Sequence, residues 1–495
     1  MKNKTFRITK LFLYSIVFLL IFLSGCEMGK HEHKWIEDSR VDPTCTVNGK
    51  IIYKCEECGE VKEEKVDALG HHYVEEVTDA TCLKDGKTVM KCDRCGDIAS
   101  EEVLPALGHK EIVETTEATC TEAGKIVTKC EVCGKIISTQ INGYAKGHSY
   151  VIKIDQKSVD GSIGIKHKEC EVCGVKEAEY KYVDNGYSRF GKLHVEGTNL
   201  VDANNNPVQL IGLSTHGLQW YGEYVNEVSL SACKEAFNVN VFRFSLYTAE
   251  GGYCECNATK KEELYNRVLE GVRIATKLDM YAIVDWHMLG EEDDNDKNPL
   301  YYKEQAKEFF DRITKDLKDY DNVFYEIMNE PCGPTKWSDC KKYAEEIIPI
   351  IRANKPDAVV LVGTPKWASD LASPRSNPLS FENIMYTFHF YAADLKDTSI
   401  VTKAYNAGMP VFVTEHGGMD ADGDGDIDKT STNNWYKVLD ARNISYVAWN
   451  ISHSKGSSAI LKSKTKTLDD FSNSNLKEWG IFYKSHIKSR LGITN

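Results

Sequence analysis

Two glutamates stand at the ends of apolar runs: Glu330 closes NVFYEIMNE (322–330) and Glu415 lies within PVFVTEHG (410–417). Carboxyl groups in a pair suit cleavage of a glycosidic bond. One donates a proton to the leaving oxygen, while the other attacks the anomeric carbon or activates water. Cleavage with retention of configuration requires the two groups to be about 5–5.5 Å apart. A lone buried glutamate is more often the ion-pair partner of an arginine or lysine, a part Arg243 could fill. The pair gains meaning from what surrounds it.

Those surroundings come from the ends of six further runs. VQLIGLST (208–215) leads to His216 and Trp220, and VNVFRFSL (239–246) carries Arg243 and leads to Tyr247. YAIVDWH (281–287) ends in Asp285, Trp286 and His287; AVVLVGT (358–364) precedes Trp367. IMYTFHFY (384–391) ends in His389, Phe390 and Tyr391, and ISYVAWNI (444–451) carries Trp449 and Asn450. Continuous apolar runs of this kind fit parallel strands buried on both faces. The stretches between them, such as KEELYNRVLEGVRIATKLD and YYKEQAKEFFDRITKDLKD, have helical periodicity. Eight strand-then-helix units in about 300 residues predict an α/β fold, a (β/α)8 TIM barrel over 187–495, with its chemistry at the C-terminal strand ends. A doubly wound open sheet is the alternative, but no glycine-rich phosphate loop follows the first run.

Four segments carry a family resemblance: GLSTHGLQWYGEYVN (212–226), Asn329-Glu330-Pro331, HFYA (389–392) and VTEHG (413–417). Together they resemble glycoside hydrolase family 5, in its bacterial endoglucanase (cellulase) branch. The resemblance implies a retaining endo-β-1,4-glucanase acting on cellulose or related glucans, with no cofactor for catalysis. It makes Glu330 the acid/base and Glu415 the nucleophile. Asn329 would bind the sugar 2-hydroxyl, Arg243 would keep Glu415 charged, and His389 and Tyr391 would orient the carboxylates. His287 would touch the reacting sugar and Trp449 would floor it. His216, Trp220 and Tyr247 would form glycone-side platforms, and Trp367 one on the leaving-group side. Two positions depart from the pattern. His416 stands where the family often has tryptophan, and Ser454 stands where it has a sugar-binding lysine, with Lys455 one residue on. A one-residue loop shift would let Lys455 serve. A β-mannanase or xyloglucanase on the same scaffold stays open, as does a non-catalytic surface glycan-binding or adhesion protein.

Cysteines divide the chain. Of 17, eleven fall between residues 45 and 173, in units Cys45-x9-Cys55-x2-Cys58, Cys82-x9-Cys92-x2-Cys95 and Cys120-x9-Cys130-x2-Cys133, with a fourth keeping only Cys170-x2-Cys173. His33, His71, His109 and His148 recur between them. Such a period marks a repeat array of small Cys-rich β units spanning residues 26–180. Three cysteines and a histidine offer the soft ligand set of structural zinc. Disulfides are the alternative in an oxidising compartment, but each triad leaves an odd thiol. Pairing each histidine with the triad that follows assigns His33 to the Cys45 unit, His71 to the Cys82 unit, His109 to the Cys120 unit and His148 to the last. There His167 would replace the missing cysteine. The array reads as a zinc-stapled stalk or a module binding a cell-surface partner. The pairing of Cys233, Cys254, Cys256, Cys332 and Cys340 stays open.

The first residues are basic at Lys2, Lys4, Arg7 and Lys10, then apolar through LFLYSIVFLLIFLSG, ending Leu23-Ser24-Gly25-Cys26. This resembles a bacterial lipoprotein signal peptide (1–25), which implies lipidation of Cys26 and a protein anchored to the outer face of the bacterial membrane. An uncleaved anchor helix is the alternative. A net charge of −13 argues against nucleic acid as partner and suits an uncharged polysaccharide. The acidic runs EEDDNDK (291–297) and Asp420–Asp426 are expected to be solvated surface loops.

Overall fold

Eight parallel strands close into a barrel in a computed structural model that describes residues 32–290, 295–465 and 467–493. The signal-like segment with Cys26 lies outside the described residues, as do residues 291–294. The barrel strands are β1 (Ile211–Thr215), β2 (Val241–Tyr247), β3 (Tyr281–His287), β4 (Val323–Glu326), β5 (Val360–Val362), β6 (Ile384–Tyr391), β7 (Val411–Gly417) and β8 (Tyr446–Ile451). Each joins the next in sequence order, and β8 pairs back onto β1. Helices such as Ala258–Lys277, Lys303–Asp316 and Trp337–Asn354 return the chain, their apolar faces covering the strands. The open-sheet alternative is excluded.

Alternation along a strand decides what fills the barrel. On β2 and β3 every second residue points inward, and the inward rows change character with height. Val241, Tyr281 and Ile283 pack with Leu193, Leu200, Phe324, Leu361, Phe412 and Val447 in an apolar plug. Further along, the inward positions are Arg243 and Ser245 on β2 and Asp285 and His287 on β3. One end of the barrel is thus sealed with hydrocarbon, leaving the other free to hold charge.

Three details differ from expectation. β4 and β5 are shorter than their apolar runs, so Asn329 and Glu330 lie past the end of β4, where Glu330 is held by a bridge to Leu289. β7 carries an extra residue: Thr387 and His389 on β6 face Phe412 and Glu415, while Tyr446 and Ala448 on β8 face Val413 and His416. β8 likewise has an extra residue against β1, beside Trp449, where the Trp449–Asn450 peptide is cis. Such bulges re-aim side chains.

The described chain forms two compact units, one ending at Gly147 and the other beginning at His148. The first contains three antiparallel three-stranded sheets, Trp35–Val41/Gly49–Cys55/Val61–Val66, Tyr73–Thr78/Gly86–Cys92/Ile98–Leu104 and Glu111–Thr116/Lys125–Cys130/Ile136–Ile141. These are the expected β repeats, and they bury little beyond Ile51, Val89, Ala118 and the cysteines themselves. The fourth sheet (Tyr150–Gln156, Ile163–Cys170, Tyr180–Val183) belongs to the second unit, tied to the barrel by Lys168–Glu235 at 3.0 Å and by Val183 N–H donating to Asn238 Oδ1. The cysteine period alone places it with the stalk.

Candidate active site

Arg243 sits at the centre of the polar layer, fully buried. Its Nε donates to Glu326 Oε2 (2.7 Å), Nη1 to Glu415 Oε2 (3.0 Å) and Nη2 to Asn329 Oδ1 (2.5 Å), with Asp285 Oδ2 3.0 Å from Nη2. One guanidinium fork thereby fixes groups from β3, β4, the loop after β4 and β7. Its rigid, always-charged geometry suits this better than a lysine would. Burial would raise the Glu326 carboxyl, but the charges of Arg243 and His389 outweigh it and bring it down to about 2. Burial pushes Asp285 up well above the usual carboxylate range, against the pull of Arg243.

The β7 bulge turns two neighbours towards the interior. Thr414 Oγ1 donates to Glu326 Oε1 (2.6 Å), and Glu415 Oε1 accepts from the Tyr391 hydroxyl (2.8 Å). Burial raises the Tyr391 hydroxyl well above its ordinary value, which keeps it a donor. Thr414 has one hydroxyl hydrogen and spends it on Glu326, so His389 Nε2 must donate to Thr414 Oγ1 (2.8 Å). His389 Nδ1 faces Glu330 Oε1 at 2.7 Å, and one proton lies between them. Burial opposes protonation of His389, but the Glu326 and Glu330 carboxylates override it and carry the imidazole up to about 9. Carboxylate oxygens of Glu330 and Glu415 and a nitrogen of His389 lie within 4.8 Å of one another.

Around these groups opens a cavity of 840 Å³, lined by His216, Trp220, Tyr247, His287, Glu330, Trp367, Tyr391, Glu415 and Trp449. Nine residues chosen from sequence thus meet in one groove. His287 lies between Tyr247 and Trp449, with ring centroids at 4.1 and 5.2 Å; its Nδ1 donates to Asp285 (2.7 Å) and burial takes it down to about 3. His216 is likewise lowered by burial, to about 4. Trp220 and Trp367 are 43% and 53% exposed, large apolar faces left open to solvent. Asn329 is not on the groove wall but in the buried layer, where Nδ2 donates to Met288 O (3.1 Å) and approaches His287 Nε2 at 3.3 Å.

Some expectations fail. Lys455 does not reach the groove: Ser454 and Gly456 form the wall there, and Lys477 Nζ fixes the loop by donating to the carbonyls of Ser454, Lys455 and Gly456. The run EEDDNDK is not wholly solvated, since Asp296 is buried and accepts from Thr248 Oγ1, and Lys297 lines the groove. The Asp420–Asp426 loop is at the surface as expected, and Asp422 also reaches the groove rim. Sequence reasoning missed Glu326 and Thr414 and gave Asp285 no task. The signal was a charge inside NVFYEIMNE, a run otherwise fit for burial, where an unpaired carboxylate would be costly. His416, in place of tryptophan, faces away from the groove. It is buried, donates from Nδ1 to Val447 O (2.7 Å) and meets the Tyr436 hydroxyl (3.1 Å) among Phe390, Tyr446, Trp479 and Tyr483.

Of the Cys/His residues, Cys45, His71, Cys92 and Cys95 converge in one group, Cys82, His109, Cys130 and Cys133 in a second, and His33, Cys55 and Cys58 in a third. His148, Cys170 and Cys173 converge as well. The histidine joins the CxxC pair that follows it, as expected, but Cys45 and Cys82 do not stay with the pairs of their own repeats. Cys45 meets the pair of the next repeat, and so does Cys82. Cys120 is buried, its carbonyl accepting from Gly147 N–H (2.9 Å). His167 is not near a CxxC pair: it bonds Asp155 (2.6 Å) and Glu169 (3.3 Å).

The family model for cellulase (glycosyl hydrolase family 5) matches residues 201–455, which span β1 to β8 and all of the groove lining except Gly456 and Ser458. The chain belongs to that family. Endoglucanase A of Butyrivibrio fibrisolvens is 41% identical over 306 residues, 60% of this chain and 70% of that protein. The endoglucanase of Clostridium saccharobutylicum is 41% identical over 302 residues, covering 60% of this chain and 65% of its own length. Among solved structures, the catalytic domain of Thermobifida fusca endoglucanase Cel5A with cellotetraose aligns at TM-score 0.57 and 36% identity, covering 62% of this chain and all of that one. A cellulase named Cel5C_n aligns at TM-score 0.59 and 38% identity, covering 62% and 95%. The family 5 fold accounts for the barrel and leaves the repeats outside the match.

Proposed function

We propose that this family 5 barrel is a retaining endo-β-1,4-glucanase, with Glu415 as nucleophile and Glu330 as acid/base. The observation that carries this reading is the approach of the two carboxylates to within 4.8 Å, too close for the separation of about 6.5–9.5 Å that leaves room for an attacking water. Glu415 attacks the anomeric carbon as the glycosidic bond breaks, and the leaving oxygen takes the proton held between Glu330 and His389. Glu330 then removes a proton from water, which displaces Glu415 and releases the sugar. Arg243 and Tyr391 hold Glu415 in place for attack. The exposed faces of Trp220 and Trp367 suit the C–H faces of sugars in an open groove, consistent with cuts inside a chain. Asn329, held by Arg243 in the buried layer and 3.3 Å from His287 Nε2, is assigned to positioning His287 rather than to a contact with the 2-hydroxyl.

The Cys/His groups are assigned to structural zinc, and Cys26 to a lipid anchor holding the enzyme on the outer face of the bacterial membrane. On this reading the repeats are a stalk or a surface-binding module. Growth with labelled palmitate should label the parent chain and not Cys26→Ala.

Reducing-sugar release from carboxymethylcellulose, mannan and xylan, measured with the full chain, tests the activity. Cellulose derivative should be preferred, and Glu330→Gln and Glu415→Gln should each lower kcat by about a thousandfold. Preference for mannan would move the substrate, and undiminished variants would refute the assignment of the two glutamates.

A further inference from the structure

We propose that the metal ions at the two junctions within the N-terminal unit are each shared between consecutive repeats, so that they link its three sheets end to end. This rests on reading the Cys/His groups as zinc sites, and adds which residues close each one.

Strand length forbids the simpler arrangement. Cys45 precedes the strand Gly49–Cys55, whereas Cys55 and Cys58 lie at its far end. Seven residues of strand span about 20 Å at roughly 3.3 Å each, several times the width of a zinc site. One repeat therefore carries two half-sites at opposite ends: a lone cysteine at one, a His–Cys–Cys cluster at the other. Neither is a full ligand set.

Linkers bring complementary halves together. After the third strand of the first repeat, Leu69 N–H donates to Thr44 O and Gly70 N–H to Cys45 O, both at 3.0 Å. Ala68 N–H donates to Asn48 Oδ1 (2.8 Å). The chain therefore folds back over the Cys45 loop just before His71, and Gly70, at φ 73°, makes the bend. The second repeat repeats the device, with Leu107 N–H on Thr81 O (2.9 Å) and Ala106 N–H on Asp85 Oδ1 (2.7 Å) before His109.

The ligand atoms then have the spacing of a tetrahedron. Thiolates about 2.3 Å from a zinc ion sit about 3.8 Å from each other, and a nitrogen ligand about 3.6 Å from a sulfur. Cys45 Sγ and Cys92 Sγ are 3.8 Å apart, Cys82 Sγ and Cys130 Sγ 3.7 Å. His71 Nδ1 is 3.3 Å from Cys95 Sγ, and His109 Nδ1 is 3.5 Å from Cys133 Sγ. Disulfides would require about 2.05 Å between sulfurs and would leave no task for the histidines.

Alkylation of the purified full chain, loaded with zinc and mapped by peptide mass spectrometry, tests the linkage. In Cys45→Ser, Cys92 and Cys95 should react about tenfold faster or more, because they lose a ligand of their ion. Cys55 and Cys58 should react as in the parent, and Cys82, Cys130 and Cys133 should stay protected, which shows that the unit is folded. If Cys45→Ser unfolds the unit, His109→Ala asks the same question at the next junction, where Cys82 should become reactive and Cys92 and Cys95 should not. Exposure of Cys55 and Cys58 by Cys45→Ser, with Cys92 and Cys95 protected, would place each ion within one repeat and overturn the linkage. Thiols that react alike with and without chelator in the parent chain, or that are recovered as disulfides, would instead refute zinc itself, and the linkage with it.

Discussion

Arg243 meets three carboxylates and one amide with no solvent in reach. Removing it leaves Glu326 and Glu415 buried without their counter-charge and Asp285 without one of its donors, so Arg243→Ala should cost about 3–5 kcal/mol of stability in chemical denaturation. Arg243→Lys keeps the charge but loses the fork, and should fold better while remaining poorly active. The His389–Glu330 pair sets the alkaline behaviour. Its shared proton should leave near pH 9, where His389 titrates, so kcat/KM on a soluble substrate should fall above about pH 9. For stability the sign is fixed by the raised value: the contribution is complete below about 6.5, where an unfolded histidine is also charged, and is lost as pH rises through about 9. His389→Gln should flatten that fall. Sequence made Glu330, Glu415, His389 and Tyr391 legible because each is polar at or near the end of an apolar run, and Arg243 because a cation inside such a run needs a buried anion. Glu326 and Thr414 stand inside the apolar runs NVFYEIMNE and PVFVTEHG, where a reading by the ends of the runs does not look.

At the scale of elements, the barrel was legible from the alternation of apolar runs and helical stretches, but the extra residues in β7 and β8 were not. A bulge adds one residue to a run that is apolar on both faces, so no break in the sequence pattern marks it. Yet the β7 bulge lets Thr414 and Glu415, adjacent in sequence, both serve the interior. His416 then faces the aromatic packing behind the strand. His416→Ala would open a cavity and leave the Tyr436 hydroxyl and Val447 carbonyl without partners; a loss of about 2–4 kcal/mol is expected in thermal or urea melts. Lys366, Trp367 and Ala368 follow β5 in left-handed backbone (φ 61°, 54° and 52°), a strained turn that leaves the Trp367 ring open to solvent at the groove. Trp367→Ala should raise KM for cello-oligosaccharides about tenfold, the value of one ring contact, while hydrolysis of an aryl cellobioside, which places no sugar there, changes little. In the repeats the period is plain, but grouping each cysteine triad by nearness along the chain ignores that an extended strand carries its two ends far apart.

Across the whole molecule, two units depend on different things. The barrel buries a large apolar core, whereas the N-terminal sheets leave residues such as Ile36, Val61, Val77 and Val113 exposed and bury mainly cysteines. Chelation should therefore strip thiol protection from the repeats and leave hydrolysis of a soluble glucan unchanged. Acid should act on the barrel instead. Burial holds His216 at about 4 and His287 and His416 at about 3, so the folded state refuses protons that the unfolded chain accepts below about 6.5. Stability should fall as pH drops from about 6.5 towards 3, a trend that melting temperatures across that range will check. The proposed chemistry passes through a covalent bond between sugar and Glu415. A 2-deoxy-2-fluoro cellobioside with a good leaving group should slow release of that bond and trap it, and peptide mapping should find the added cellobiosyl mass on Glu415 of the parent chain and no trapped sugar in Glu415→Gln. A label on Glu330, or inactivation without any covalent adduct, would rule Glu415 out as the nucleophile.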